Sequence, residues 1–207
     1  RHLALGARMA PFAGWDMPIQ YSGVREEHRA VRAGCGIFDV SHMGVFDFQG
    51  EGAEDFLNAL TSNDVTALEV GKAHYNYLLG VDGIPIDDIF IYRLAPDYFL
   101  MVVNASNNDK DWAWITGLKD GRFMADAERE DVLLPARDRF TVRDLRARGG
   151  DVVDLSCADG ADFLVKLATP LHPQRFRHRH RDTLHMIAIP HGLEKRIGKA
   201  EVKQVLY

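Results

Sequence analysis

Cysteine is scarce in this 207-residue chain, with only Cys35 and Cys157. Two thiols so far apart in sequence make no disulfide framework, and their scarcity points to a reducing intracellular setting. Long apolar runs are missing as well. The longest, Tyr98–Val103, falls far short of the ~20 residues a membrane-spanning helix requires, so no membrane span is expected. The chain starts at Arg1 with no basic-then-apolar leader, so no targeting signal is expected either. There is no G-x-x-x-x-G-K-[ST], no G-x-G-x-x-G after a strand, no H-E-x-x-H and no G-x-S-x-G. Phosphate-cradle, zincin and serine-hydrolase readings therefore lack support. No internal repeat is evident.

What is present suffices for a folded core. Hydrophobic residues make up 46% and charged residues 27%, and the length suits one large domain or two small ones at ~100–200 residues each. The net charge of -5 conceals a split. Residues 171–207 carry eight Lys/Arg against three Asp/Glu and five of the nine histidines, whereas residues 1–170 carry 17 against 27.

The opening segment Leu5–Tyr21 is rich in Gly, Pro and aromatics without a secondary-structure period, and it reads as extended and packed. Val24–Ala33 consists mostly of helix formers and stops at Gly34, which predicts a short surface helix. Gly44–Gln49 reads as a strand, and Ala53, Phe56, Leu57 and Leu60 follow the spacing of an amphipathic helix. Three β-rich runs, His74–Leu79, Ile86–Leu94 and Tyr98–Asn104, are separated by turn sequences and predict an antiparallel meander. Asn107 or Asn108 is expected to cap a helix containing Trp112 and Ile115 and closed by Gly117. Beyond Lys119 a strand within Arg139–Leu145, a loop at Arg146–Gly150 and a helical turn or two at Asp162–Leu167 are the only features read. Strands and helices do not alternate in the βαβ manner. The fold class expected is α+β, an antiparallel meander with packed helices.

Three groups could carry chemistry. In a strand, Asp88, Phe90 and Tyr92 share one face while Asp87, Ile89 and Ile91 share the other. One carboxylate with two aromatic rings suits a flat, nitrogen-rich ligand, since the rings supply apolar area and the carboxylate accepts N–H bonds. An Asp-Asp pair is equally what a hairpin turn with solvated aspartates contains, and spacing alone does not separate the two. Second, Ser41-His42-Met43 has no acid partner in view, so His42 reads as a structural histidine with its hydrogen bonds satisfied. Met43 is either a soft surface against a ligand ring or core filling. Third, His172, His178 and His180 lie among Arg175, Arg177, Arg179 and Arg181. The arginines repel a dication, no cysteine or carboxylate supports a zinc site, and stacking aromatics are nearly absent. This stretch reads as a solvated tail, without metal or nucleic-acid binding.

Several short strings taken together resemble a known family. They are His2, Leu5-Gly-Ala-Arg-Met, Phe12-Ala-Gly-Trp-Asp-Met-Pro, Glu27-His and Phe38-Asp-Val-Ser-His-Met-Gly44. Thr61-Ser-Asn-Asp64, Gly71-Lys-Ala-His-Tyr75, Ile86-Asp-Asp-Ile89, Tyr92 and Val102-Val-Asn-Ala-Ser-Asn107 follow in order. Over roughly residues 2–118 the chain resembles the N-terminal part of the aminomethyltransferase family, the T-protein of the glycine cleavage system. The resemblance divides the chain into a folate-binding region at 1–118, a weakly matching continuation at 119–170, and the basic tail at 171–207.

The resemblance implies a tetrahydrofolate-dependent transferase. A lipoyl-carrying H-protein delivers an aminomethyl group whose carbon passes to tetrahydrofolate, leaving ammonia, methylenetetrahydrofolate and the dihydrolipoyl carrier. Asp88 matches the family's key aspartate, implied to hydrogen-bond the folate and help activate its nitrogen. Met43, Tyr75 and Tyr92 match positions lining the folate pocket, Asn104 lies in the matching pocket-side strand, and Phe90 shares the face of Asp88. The resemblance implies no metal, no membrane and no nucleic acid, and a cytoplasmic protein, or a mitochondrial-matrix one in a eukaryote. The family's second-half contacts, a glutamate, an arginine and S-R-T-G-Y-T-G-E, have no counterpart here, so a truncated family member is expected. Two alternatives share the folate face: a folate-dependent demethylase of the same superfamily, and a non-catalytic folate-binding protein. The K-G-C-Y-x-G-Q-E motif of the iron–sulfur-maintenance relatives is absent.

Overall fold

In the computed structural model, which describes residues 2–125, 127–145, 152–157, 162–166 and 203–204, the elements run in chain order. The first half holds β1 (Arg8–Phe12), β2 (Trp15–Gln20), α1 (Val24–Ala33), β3 (Cys35–Asp39), β4 (Gly44–Gln49), α2 (Ala53–Leu60) and β5 (Ala73–Leu79). Then come β6 (Pro85–Ala95), β7 (Tyr98–Val103), α3 (Asn108–Lys119), α4 (Ala127–Ala136), β8 (Thr141–Asp144), β9 (Val152–Cys157), β10 (Asp162–Lys166) and β11 (Lys203–Gln204). The chain divides into two units, Arg1–His42 with Gly149–Tyr207, and Met43–Arg148. Among the described residues no helix is long and apolar enough to cross a membrane.

The Met43–Arg148 unit is an antiparallel sheet of order β5-β6-β7-β4-β8 with helices on one face. Each strand sends alternate side chains inward. Phe46 and Phe48 of β4, Ile89 and Ile91 of β6, and Phe99 and Met101 of β7 are all essentially sealed from solvent. The helices complete that core: α2 buries Ala53, Phe56, Leu57 and Leu60, and α3 contributes Ile115 and Leu118. Each large side chain so buried contributes about 1.5–3 kcal/mol. The expected α+β class, the helix over 24–33, the strand over 44–49, the helix over 53–60 and the three-stranded meander all stand in the structure.

In the Arg1–His42 with Gly149–Tyr207 unit, β1 and β2 pair antiparallel. Ala13 and Gly14 join them with positive φ of 49° and 81°, the backbone of a two-residue hairpin turn matched to strand twist. The opening segment is therefore a hairpin rather than a packed extended stretch, and Phe12 and Trp15 at its tip are exposed. Phe38 of β3 packs against Tyr21 and Val31. A second sheet of order β10-β9-β3-β11 sets Cys35 opposite Cys157, a pairing their sequence separation did not suggest.

Two further expectations are corrected, and one helix is present that the sequence did not announce. Gly117 does not close α3, which runs on to Lys119. A Cβ there would lie 2.1 Å from the ring of Phe123, so the glycine serves the close approach of that ring, which stacks on Trp114. Residues 162–166 form a strand rather than a helical turn, because they pair antiparallel with β9. Helix α4 had no visible period, and its internal Pro135 reads as a breaker; tertiary contacts hold it, with Arg137 bonded to Glu130 and to the Leu118 carbonyl at 2.7 Å. The expected loop at 146–150 and the His/Arg cluster of the tail lie outside the described residues.

Candidate ligand face on the outer side of the sheet

Strand alternation sorts the Asp-Asp pair as the sequence pattern predicts. Asp87, Ile89 and Ile91 point into the core, while Asp88 and Phe90 are exposed and Tyr92 is half-buried. The register sets Tyr75 opposite Phe90 and Tyr77 opposite Asp88. Tyr75 stands edge-on to both Tyr77 and Phe90, with ring centroids 5.4 and 5.5 Å apart, and Tyr92 follows Phe90 at 6.2 Å. Four aromatic rings from two strands thus form a continuous patch. Tyr75 and Phe90 keep 44% and 42% of their surfaces exposed, which is unusual for rings of this size in a folded sheet unless the face has something to bind.

Asp88 sits at the edge of that patch. Its Oδ2 accepts the Tyr75 hydroxyl at 2.7 Å and its Oδ1 accepts the Asn104 amide at 2.9 Å. A carboxylate has about four acceptor positions, so capacity remains for a ligand's N–H groups. The bond to Asp88 pushes the Tyr75 phenol well above its ordinary value, with burial and Tyr77 adding to the effect. Tyr75 therefore acts as a donor across the neutral range. Met43 directly precedes Gly44, the register partner of Val103, and Asn104 directly follows Val103. Met43, half-buried, and Asn104 thus lie at the same end of the β4–β7 pair. Of the residues singled out from the sequence, Tyr75, Asp88, Phe90, Tyr92 and Asn104 are gathered by contacts, and Met43 by its position in the register.

Asp87 is no solvated turn residue, being 5% exposed. Its carboxylate accepts the Asn104 backbone N–H at 3.0 Å, the Asn104 side-chain amide at 3.0 Å and the Asn107 amide at 2.5 Å. Burial alone would raise its proton affinity, but these bonds and a contact with Asp111 outweigh it and hold the carboxyl below its ordinary value. The Asn104 amide also touches the Asp88 backbone carbonyl at 3.1 Å, so one side chain bridges both aspartates. Asn107 stands at the N-cap of α3 as expected, yet makes no side-chain cap bond; its amide is spent on Asp87.

Sequence reasoning missed Tyr77, Asp111 and the inward role of Asp87. One signal was available: Asn108, Asp111, Ile115 and Leu118 share the buried stripe of α3, and a polar residue on such a stripe marks a partnered buried group. His42 also departs from expectation. Its Nδ1 is buried with no hydrogen-bond partner among the described residues, its ring packs edge-on against Phe12 at 5.2 Å, and burial pulls its pKa down against the pull of Asp39. Among the described residues no group of three or more His, Cys, Asp or Glu is placed to hold a metal ion.

The GCVT N-terminal domain family model matches residues 1–133. The chain is 58% identical over 120 residues to an aminomethyltransferase of Deinococcus deserti, covering 58% of this chain and 34% of that protein. It is 50% identical over 119 residues to one of Flavobacterium psychrophilum, covering 58% and 33%. Among solved structures, the glycine cleavage system aminomethyltransferase T of Bartonella henselae matches with a TM-score of 0.58 and 31% identity, covering 75% of this chain and 38% of that one. The chain spans about a third of the length of the curated relatives it matches.

Proposed function

The chain belongs to the GCVT N-terminal domain family, and from that premise we propose that the outer face of β5 and β6, with Asn104 just beyond β7, binds tetrahydrofolate through Asp88 as part of an aminomethyltransferase. The observation that carries the reading is Asp88 itself: a carboxylate steadied by Tyr75 and Asn104 beside exposed aromatic rings. The residues fit a reduced pterin. Tyr75, Phe90 and Tyr92 offer apolar area to a flat ring, Asp88 offers acceptors to its N–H groups, and Met43 adds a polarisable surface at the same sheet end. Residues 1–118 carry this folate-binding region.

Tetrahydrofolate, when bound, supplies the amine nitrogen that accepts the one-carbon unit. Asp88 orients that nitrogen by accepting its hydrogen bond and is placed to take up or relay its proton. Tyr75 and Asn104 prevent Asp88 from turning away, so the acceptor is pre-aligned before the ligand arrives. The donor in this reading is the aminomethyl group on a lipoyl-carrying H-protein, in the cytoplasm or, in a eukaryote, the mitochondrial matrix.

The test is calorimetric titration of tetrahydrofolate into the full chain and its Asp88→Asn variant, followed by ammonia release from aminomethylated H-protein. Loss of a charge-assisted hydrogen bond worth about 1.5–3 kcal/mol weakens binding roughly 10- to 100-fold. Absence of binding to the unaltered chain would sink the folate reading. Binding without ammonia release would assign this chain folate binding alone.

A further inference from the structure

Helix α3 places a carboxylic acid where a hydrophobic side chain is expected. Asp111 has no exposed surface, and neither of its oxygens meets a donor among the described residues. Its neighbour is another carboxyl, Asp87, within hydrogen-bonding reach. Two ionised carboxylates have only acceptors to offer each other, so this contact is attractive only if it holds a proton. Asp87 already receives two bonds from Asn104 and one from Asn107, all of which favour its charged form. The proton therefore belongs to Asp111.

We propose that Asp111, as a neutral buried acid, is a positioning residue for the ligand face: it donates to Asp87, Asp87 fixes Asn104, and the Asn104 amide holds Asp88. Its consequence for ligand binding rests on the folate reading above; the proton and its effect on Asn104 do not. Loss of the proton sets two carboxylates against each other beneath the sheet, and the amide that bridges Asp87 and Asp88 carries the disturbance outward.

The charged groups acting on Asp111 are Asp87 from β6 and Lys110 from its own helix. Lys110 favours ionisation, but its ammonium is engaged by the Ile86 carbonyl at 2.8 Å. Asp109 precedes Lys110 on α3, and the side chains that reach Asp87 from the β7–α3 connection, Asn104 and Asn107, do not titrate. Burial, then the hydrogen bond and charge of Asp87, push the Asp111 carboxyl up to about 8.

The test follows the carboxyl signals of aspartate and the side-chain amide signals of asparagine by NMR in the full chain from pH 6 to 10. The wild type is compared with Asp111→Asn, which keeps a donor and removes the ionisable proton. Tetrahydrofolate affinity is measured under argon over the same range. In the wild type, the Asp111 carboxyl titrates near pH 8, the Asn104 amide moves with the same midpoint, and affinity falls about tenfold per pH unit above it. In Asp111→Asn the Asn104 amide stays constant and the alkaline fall disappears. An Asp111 that titrates in the ordinary carboxylate range, or an alkaline fall that survives in Asp111→Asn, overturns the proposal. If tetrahydrofolate binds at no pH, the folate reading fails, while the Asp111 and Asn104 signals of the ligand-free chain still decide this one.

Discussion

Replacing Asp111 by asparagine also isolates what its proton does for stability. In the folded chain the carboxyl titrates at about 8, whereas in an unfolded chain an aspartate titrates near ~3.9. Between those values the folded state holds a proton that the unfolded state has lost. Stability from this group is therefore fully present below the unfolded value and falls as pH rises towards the folded one. The slope is about 1.36 kcal/mol per pH unit, so the wild type loses roughly 3 kcal/mol between pH 5 and 7 and Asp111→Asn loses none of it. Against a total of roughly 5–15 kcal/mol for a domain, that loss is easily measured. Asp87 has the opposite sign. Held below its ordinary value, it contributes stability that is lost only as pH falls through its folded value, below the window used. Urea denaturation followed by circular dichroism at pH 5, 6 and 7 should show the gap between Asp111→Asn and wild type widening steadily in favour of the variant. A gap constant to within about 0.5 kcal/mol would refute a buried proton on Asp111.

Two other perturbations probe the scaffold. Phe56→Ala removes a ring with no exposed surface that packs on Phe140 at 4.8 Å; it should cost about 3–5 kcal/mol in the same denaturation assay. Glu27→Ala removes the Oε1 that accepts the backbone N–H groups of Tyr21, Ser22 and Gly23 at 2.7, 2.7 and 2.8 Å. Amide exchange at the start of α1 should accelerate by about tenfold or more, as expected for charge-assisted bonds of about 1.5–3 kcal/mol.

The legible parts of this protein share a physical cause. Ala53, Phe56, Leu57 and Leu60 announce α2 because all four face one core, and β6 announces its two faces because one is buried and the other is not. Local period survives wherever one side of an element meets the core and the other meets water. Where a partner distant in sequence decides the outcome, the signal fails. Strand β10 is a strand because β9 lies beside it, and α4 persists through Pro135 because Arg137 ties its end to Glu130 and the Leu118 carbonyl.

The candidate site divides along the same line. The residues themselves determined that Asp88, Phe90 and Tyr92 share a face, since alternation is a property of the strand backbone, and the motif strings determined the family. Only the tertiary structure decided which partners Asp87, adjacent in sequence and identical in chemistry, would have on the other face. Inside the sheet it meets Asn104, Asn107 and Asp111, the first two from the connection beyond β7 and the third from α3. Burial removes water as a partner, so every buried polar group must find its donors or its proton among residues that folding alone brings near. No spacing along the chain encodes that meeting.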